Sequence, residues 1–89
     1  MKAVITVVGK DTVGILATVS TECAKHNANI IDVSQTIMQD IFCMIMMCEV
    51  NDINIQFKDF VEAIKLCGKD KGLSIHVMHE DIFNSMHRI

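Results

Sequence analysis

The chain has 89 residues, enough for one domain, with 51% hydrophobic residues and a net charge of −3 from seven lysines, one arginine (Arg88) and eleven acidic groups. Four Phe are its only aromatics, so the basic stripe and stacking rings that usually hold nucleic acid are missing, and direct nucleic-acid binding is excluded as a first reading. A domain this small hides only about 60–65% of the surface it would expose unfolded, so apolar content at this level points to burial against another subunit.

The first segment, KAVITVV from Lys2 to Val8, is short, β-branched and stopped by Gly9, which makes it a strand. DTVGILATVSTECAKH, Asp11 to His26, reads as a helix, with Asp11 or Thr12 as N-cap. Its buried stripe is Leu16, Val19 and Cys23, with Ile15 beside it. His26 falls in the last turn, where a cation suits the helix dipole. NIIDVSQTIM, Asn29 to Met38, is a second strand. Gln39–Asp40 is a tight turn into IFCMIMMCEV, Ile41 to Val50, a third strand antiparallel to the second. After the loop NDIN, a second helix over about residues 56–71 carries Phe57, Phe60, Val61, Ile64 and Cys67 or Gly68 on one face. Gly72 is placed to stop it. LSIHVMH, Leu73 to His79, is a fourth strand. EDIFNSMHRI closes as a short amphipathic helix with Ile82, Phe83, Met86 and Ile89 on one side.

The order βαββαβ predicts an α+β, ferredoxin-like sandwich: a four-stranded antiparallel sheet, two helices on one face, and a short C-terminal helix. Residues 1–79 form the domain and 80–89 an appended amphipathic segment. On the third strand Phe42, Met44, Met46 and Cys48 point one way and Ile41, Cys43, Ile45 and Met47 the other, so both faces are apolar. On the second strand Ile31, Val33 and Ile37 oppose the polar Asp32, Ser34 and Thr36. Helices cover one face only. The other must meet a partner subunit, the C-terminal segment or both, and a homodimer or larger assembly is expected.

Catalytic and metal chemistry find little support. His76 and His79 are three apart, and Cys43 and Cys48 five apart, so on regular strands each pair points to opposite faces. There is no CxxC, and no Ser, His or Asp sits in a nucleophile motif. Acylphosphatases share this topology but need an arginine by the first loop, whereas Arg88 is far away in sequence. RNA-recognition motifs need aromatics on the central strands, where Phe42 stands alone. Neither enzyme activity nor a cofactor or metal is expected. MKAVITVVG is no signal peptide, and the longest apolar run, Ile41 to Cys48, is far below the ~20 residues of a membrane span. A reduced cytoplasmic protein with free thiols, and no membrane partner, is the expectation.

One stretch does carry chemistry: GKDTVGI, Gly9 to Ile15. A strand end, a polar turn and a helix N-terminus present free backbone N–H groups to an anion. Asp11 suits an ammonium group, and Gly14 in the first helical turn lets a small ligand approach. A ligand with carboxylate and ammonium is an amino acid. On the plainer alternative, Asp11 only caps the helix and Gly14 only permits close packing.

VVGKDTVGILATVSTECAKHNANIIDVSQT resembles the ACT domain, the amino-acid-sensing regulatory module of metabolic enzymes, through the D-x-x-G-I turn (Asp11 to Ile15) and the N-I pair (Asn29-Ile30). The likeness spans residues 2 to about 79. The compact length and tail are similar to a small stand-alone ACT family of bacteria and archaea, and to the ACT units of the glycine cleavage system's transcriptional regulator. The resemblance implies an effector, an amino acid, at a subunit interface. It would be bound by Asp11, Thr12, Val13, Gly14 and Ile15 of one subunit and Asn29 of a neighbour, with output through a separate partner such as a metabolic enzyme or regulator. The pattern departs at Gly9, where the family's best-studied ligand-binding turn has histidine. The alternative is a protein–protein interaction module without a small-molecule site.

Overall fold

The computed structural model describes residues 1–86; Arg88 and Ile89, singled out in the sequence, lie outside the described residues. The elements in order are β1 (Lys2–Lys10), α1 (Ile15–Lys25), β2 (Asn29–Met38), β3 (Ile41–Glu49), α2 (Phe57–Cys67), β4 (Ser74–His79) and α3 (Glu80–Met86), with a 3-10 turn at Lys69–Lys71. The strands form one antiparallel sheet in the order β2-β3-β1-β4. This is the ferredoxin-like sandwich that the alternation of elements predicts.

The core lies between the sheet and the pair α1 and α2. Ala3, Ile5 and Val7 of β1 stand opposite Cys48, Met46 and Met44 of β3. Ile15, Val19 and Cys23 of α1 and Phe60 and Ile64 of α2 pack on them, all buried. Each large apolar side chain so buried contributes about 1.5–3 kcal/mol, which a thin domain depends on. The stripe of α1 is therefore Ile15–Val19–Cys23, at i, i+4 and i+8. Leu16, placed in the stripe by the sequence reading, sits about 100° round the helix from Ile15 and is exposed.

Two boundaries also differ from expectation. Pairing of β2 with β3 steps from Ile30↔Cys48 to Asp32↔Met47, leaving Ile31 as the extra residue of a bulge. Ile30 then shares the helix-covered face with Val33 and Ile37, while Ile31 is exposed. At the far end of α2, the helix stops at Cys67. Gly68 is buried, and a Cβ there would come within 2.6 Å of Ile75 Cδ1 and 3.0 Å of Leu73 Cβ. Gly72, at φ 69°, closes the 3-10 turn that follows instead of the α-helix itself. The two-residue hairpin of Gln39–Asp40 forms as expected, with Gln39 at φ 59° supplying the left-handed step that tight hairpins need.

Candidate ligand site at the start of helix α1

Gly9 lies on the helix-covered face at the end of β1, where a Cβ would come within 2.7 Å of Leu73 Cδ2; packing accounts for it. The chain then turns. The Asp11 amide donates to the Asp40 carbonyl over 2.8 Å, which pins the turn to the β2–β3 hairpin. Asp11, Thr12, Val13 and Gly14 are all exposed, Val13 at 95%.

Neither Asp11 nor Thr12 caps α1. The N-cap is Gly14, at φ 90° and ψ 12°, and no side chain hydrogen-bonds to the helix start. The Thr18 amide donates to the Gly14 carbonyl over 2.9 Å. Among the described residues the amides of Ile15, Leu16 and Ala17 have no carbonyl partner, as the opening of a helix dictates. The conformation of Gly14 corrects both sequence-based explanations of it. It belongs to the left-handed region that a Cβ crowds, so the backbone itself requires glycine. Packing is not the reason, because the nearest atom to a Cβ placed there is Lys71 Nζ, 4.0 Å away. Nor is a ligand needed to account for this residue.

Lys71 is the feature that the sequence reading missed. It comes from the 3-10 turn, and its Nζ donates to the Val13 carbonyl over 3.5 Å. The ammonium thus stands beside the positive end of α1, where the dipole disfavours a cation. An anion lying between them would meet an ammonium from one side and free amides from the other. Nothing local announces this, since 58 positions separate the two partners.

Asp11, Thr12, Val13 and Gly14 are thereby gathered in one exposed turn, to which Ile15 brings only its amide because its side chain is buried in the core. Asn29 is not with them. It opens β2 opposite Glu49 and Lys2, at the other end of the sheet, about 27 Å away along β1 at strand spacing. Within one protomer Asn29 cannot reach the turn.

The remaining chemistry-bearing groups are dispersed. His76 stands opposite Thr6 and His79 opposite Ala3, on the two faces of β4. All four cysteines are free. Cys23 and Cys48 meet in the core, and the Cys23 thiol is pushed far up by its hydrogen bond with Cys48 and by burial. Burial also raises Cys67, whose thiol donates to the Ile64 carbonyl over 2.9 Å. Both are the reverse of an activated thiol. Among the described residues, no cluster of three His, Cys, Asp or Glu is disposed to hold a metal ion, and no helix is long and apolar enough to cross a membrane.

The fold is a ferredoxin-like α+β sandwich with an uncapped, exposed turn at the start of α1. Residues 2–78 match the model of the ACT domain, and the chain belongs to that family, whose domains are regulatory modules. It is 47% identical over 89 residues to a UPF0237 protein of Listeria monocytogenes, covering 100% of each chain, and relatives of the same designation occur in archaea. Among solved structures, the ACT domain protein from Streptococcus pneumoniae superposes with a TM-score of 0.80 at 36% identity over 98% of both chains. A protein described as a glycine cleavage system transcriptional repressor superposes at 0.72, with 25% identity over 89% of this chain and 47% of that one.

Proposed function

We propose that this chain is a regulatory ACT protein that binds an amino acid at the start of α1, assembles with itself, and signals through a separate metabolic enzyme or regulator. The observation that carries the reading is the uncapped N-terminus of α1 with Lys71 beside it. A carboxylate there accepts hydrogen bonds from the amides of Ile15 and Leu16 and neutralises the Lys71 ammonium. The exposed Asp11 carboxylate, or Asn29 of a neighbouring protomer, receives the ammonium. Family membership and the name of the transcriptional repressor that shares the fold support a regulatory output.

Thermal denaturation with each of the twenty amino acids tests this. A ligand at 100 times its Kd adds about 2.7 kcal/mol of stability, a rise of roughly 10–20 °C in a domain of this size. At least one amino acid is expected to produce it. A flat result across all twenty favours the second reading, an interaction module without a small-molecule site. That reading rests on the exposed apolar residues Met38, Ile41 and Ile45 of the sheet.

A further inference from the structure

We propose that the open face of the sheet binds a small monocarboxylate with a wholly apolar body, in the groove between α3 and strands β1, β3 and β4. This goes beyond the effector reading above. The groove lies on the face of the sheet opposite α1 and makes no use of the turn before that helix.

Alternation along the strands builds the groove. On the face turned away from α1 and α2, Thr6 of β1 stands between Ile45 of β3 and His76 of β4. Two residues back along β1, Val4 stands between Met47 and Met78. Helix α3 lies against β1 and β4, and Val4 is fully buried although it points away from the other helices. Beside the rung Ile45–Thr6–His76 the cover is incomplete. An open groove of about 360 Å³ remains there, lined by Thr6, Ile45, His76, Met78, Phe83 and Met86. It faces solvent: His76 is exposed, and Ile45 and Met86 are 46% and 66% exposed. Its size falls at the lower end of the ~300–1,000 Å³ of small-molecule sites, and mostly apolar walls with a few convergent polar groups are their usual make-up.

The two polar groups of the groove select the ligand. Thr6 and His76 are cross-strand partners. The Cβ atoms of such a pair stand ~4.5–5.5 Å apart, close enough for both side chains to meet one group. Neither side chain has a hydrogen-bond or ion-pair partner among the described residues. The threonine hydroxyl donates, and the imidazole donates from one nitrogen in either tautomer. Two adjacent donors suit the two oxygens of a carboxylate. A cation finds nothing here. No acidic side chain lines the groove, and the backbone of β1 beneath it is paired with β3 and β4. An amino acid, whose ammonium adjoins its carboxylate, would bring that ammonium to the groove floor without a partner, and is selected against. Met78, Met86, Phe83 and Ile45 receive the apolar body. Methionine side chains are unbranched and polarizable, so this wall adapts to the shape of what it holds.

Magnetic resonance of the chain labelled at its methionine methyls, titrated with octanoate, tests the proposal. The Met78 and Met86 methyls should shift saturably, while Met44 and Met46, buried on the helix-covered face, stay in place. Acetate, which has the carboxylate alone, and octanol, which has the body alone, should each bind about tenfold more weakly or worse. Thr6→Val keeps the side-chain shape and removes the hydroxyl, and His76→Ala removes an exposed imidazole. Both variants should keep the wild-type circular dichroism and lose about tenfold in octanoate affinity. Ile45→Glu, which sets a carboxylate beside the donors, should abolish the shift. Lys71→Met should leave octanoate binding unchanged while weakening any amino acid held at the start of α1, so the two sites fail separately. No saturable shift at Met78 and Met86 would overturn the proposal, and this is also the result if a second copy of the chain covers the groove. Octanol binding as tightly as octanoate, or full affinity in either Thr6→Val or His76→Ala, would overturn it as well.

Discussion

At residue scale, the instructive position is Gly14. Its place in sequence, just inside an expected helix, makes a ligand or a packing neighbour the natural explanation, and the structure requires neither. At φ 90° the residue is the N-cap in left-handed conformation. Gly14→Ala is therefore expected to lower stability by about 1–2 kcal/mol, read as a fall in the urea midpoint. An unchanged midpoint would mean the turn relaxes into an ordinary helix start. Sequence located this turn but not its dihedral angles, which depend on the anchoring of Asp11 to Asp40 from the distant hairpin. Glu49 makes a second test. The N-terminal ammonium of Met1, hydrogen-bonded at 3.1 Å, and the Asn51 amide hold its carboxyl below the usual glutamate range. The folded state thus binds its proton more weakly than the unfolded chain. Stability from Glu49 is present above the unfolded pKa and is lost as pH falls through the lower folded one. Glu49→Gln should flatten the acid limb of a stability–pH curve while leaving the neutral region nearly unchanged; an identical acid limb would show that the pair is too exposed to matter.

At element scale, the periodicities of β1, β3 and α2 were legible because each apolar repeat is unbroken. Phe57, Phe60, Ile64 and Cys67 do lie on the packed face of α2, with Val61 half-buried, and Gly68 is the buried residue just beyond its end. The phase of α1 was less so, since Ile15 and Leu16 are adjacent and equally apolar; only contact with the sheet decides between them. Ile15→Ala should cost about 2–5 kcal/mol and Leu16→Ala under about 1 kcal/mol, measured by chemical denaturation. Equal losses would place the stripe between the two. The bulge at Ile31 carries no glycine or proline to announce it, so a regular alternation was the natural but incorrect reading of β2. The core thiols offer another check. Cys23 and Cys48 are buried, and burial raises the partly buried Cys67. A disulfide-exchange reagent at mild alkaline pH should react first with Cys43, on the open face, and reach Cys23 and Cys48 only on unfolding. Four fast thiols would contradict the packing of α1 on β3.

At the scale of the whole molecule, the two faces of the sheet divide the work. The helix-covered face holds the fold together, and the other is half covered by the chain's own C-terminal helix. The sequence predicted that this second face needs a cover but not which half α3 takes, because a seven-residue helix has no pattern that encodes its docking side. Removing residues 80–89 uncovers Val4 and Met78, so the truncated chain should melt lower. An unchanged melting temperature would make α3 an appendage. The effector reading stands on the other end of the molecule, at the start of α1, and calorimetric titration with the twenty amino acids tests it most directly. Saturable heat is expected with one or more of them. In Lys71→Met the affinity should be about tenfold weaker or worse, the loss of one charge-assisted hydrogen bond, at an unchanged unfolding midpoint. No heat with any amino acid, or equal affinity without Lys71, would contradict it.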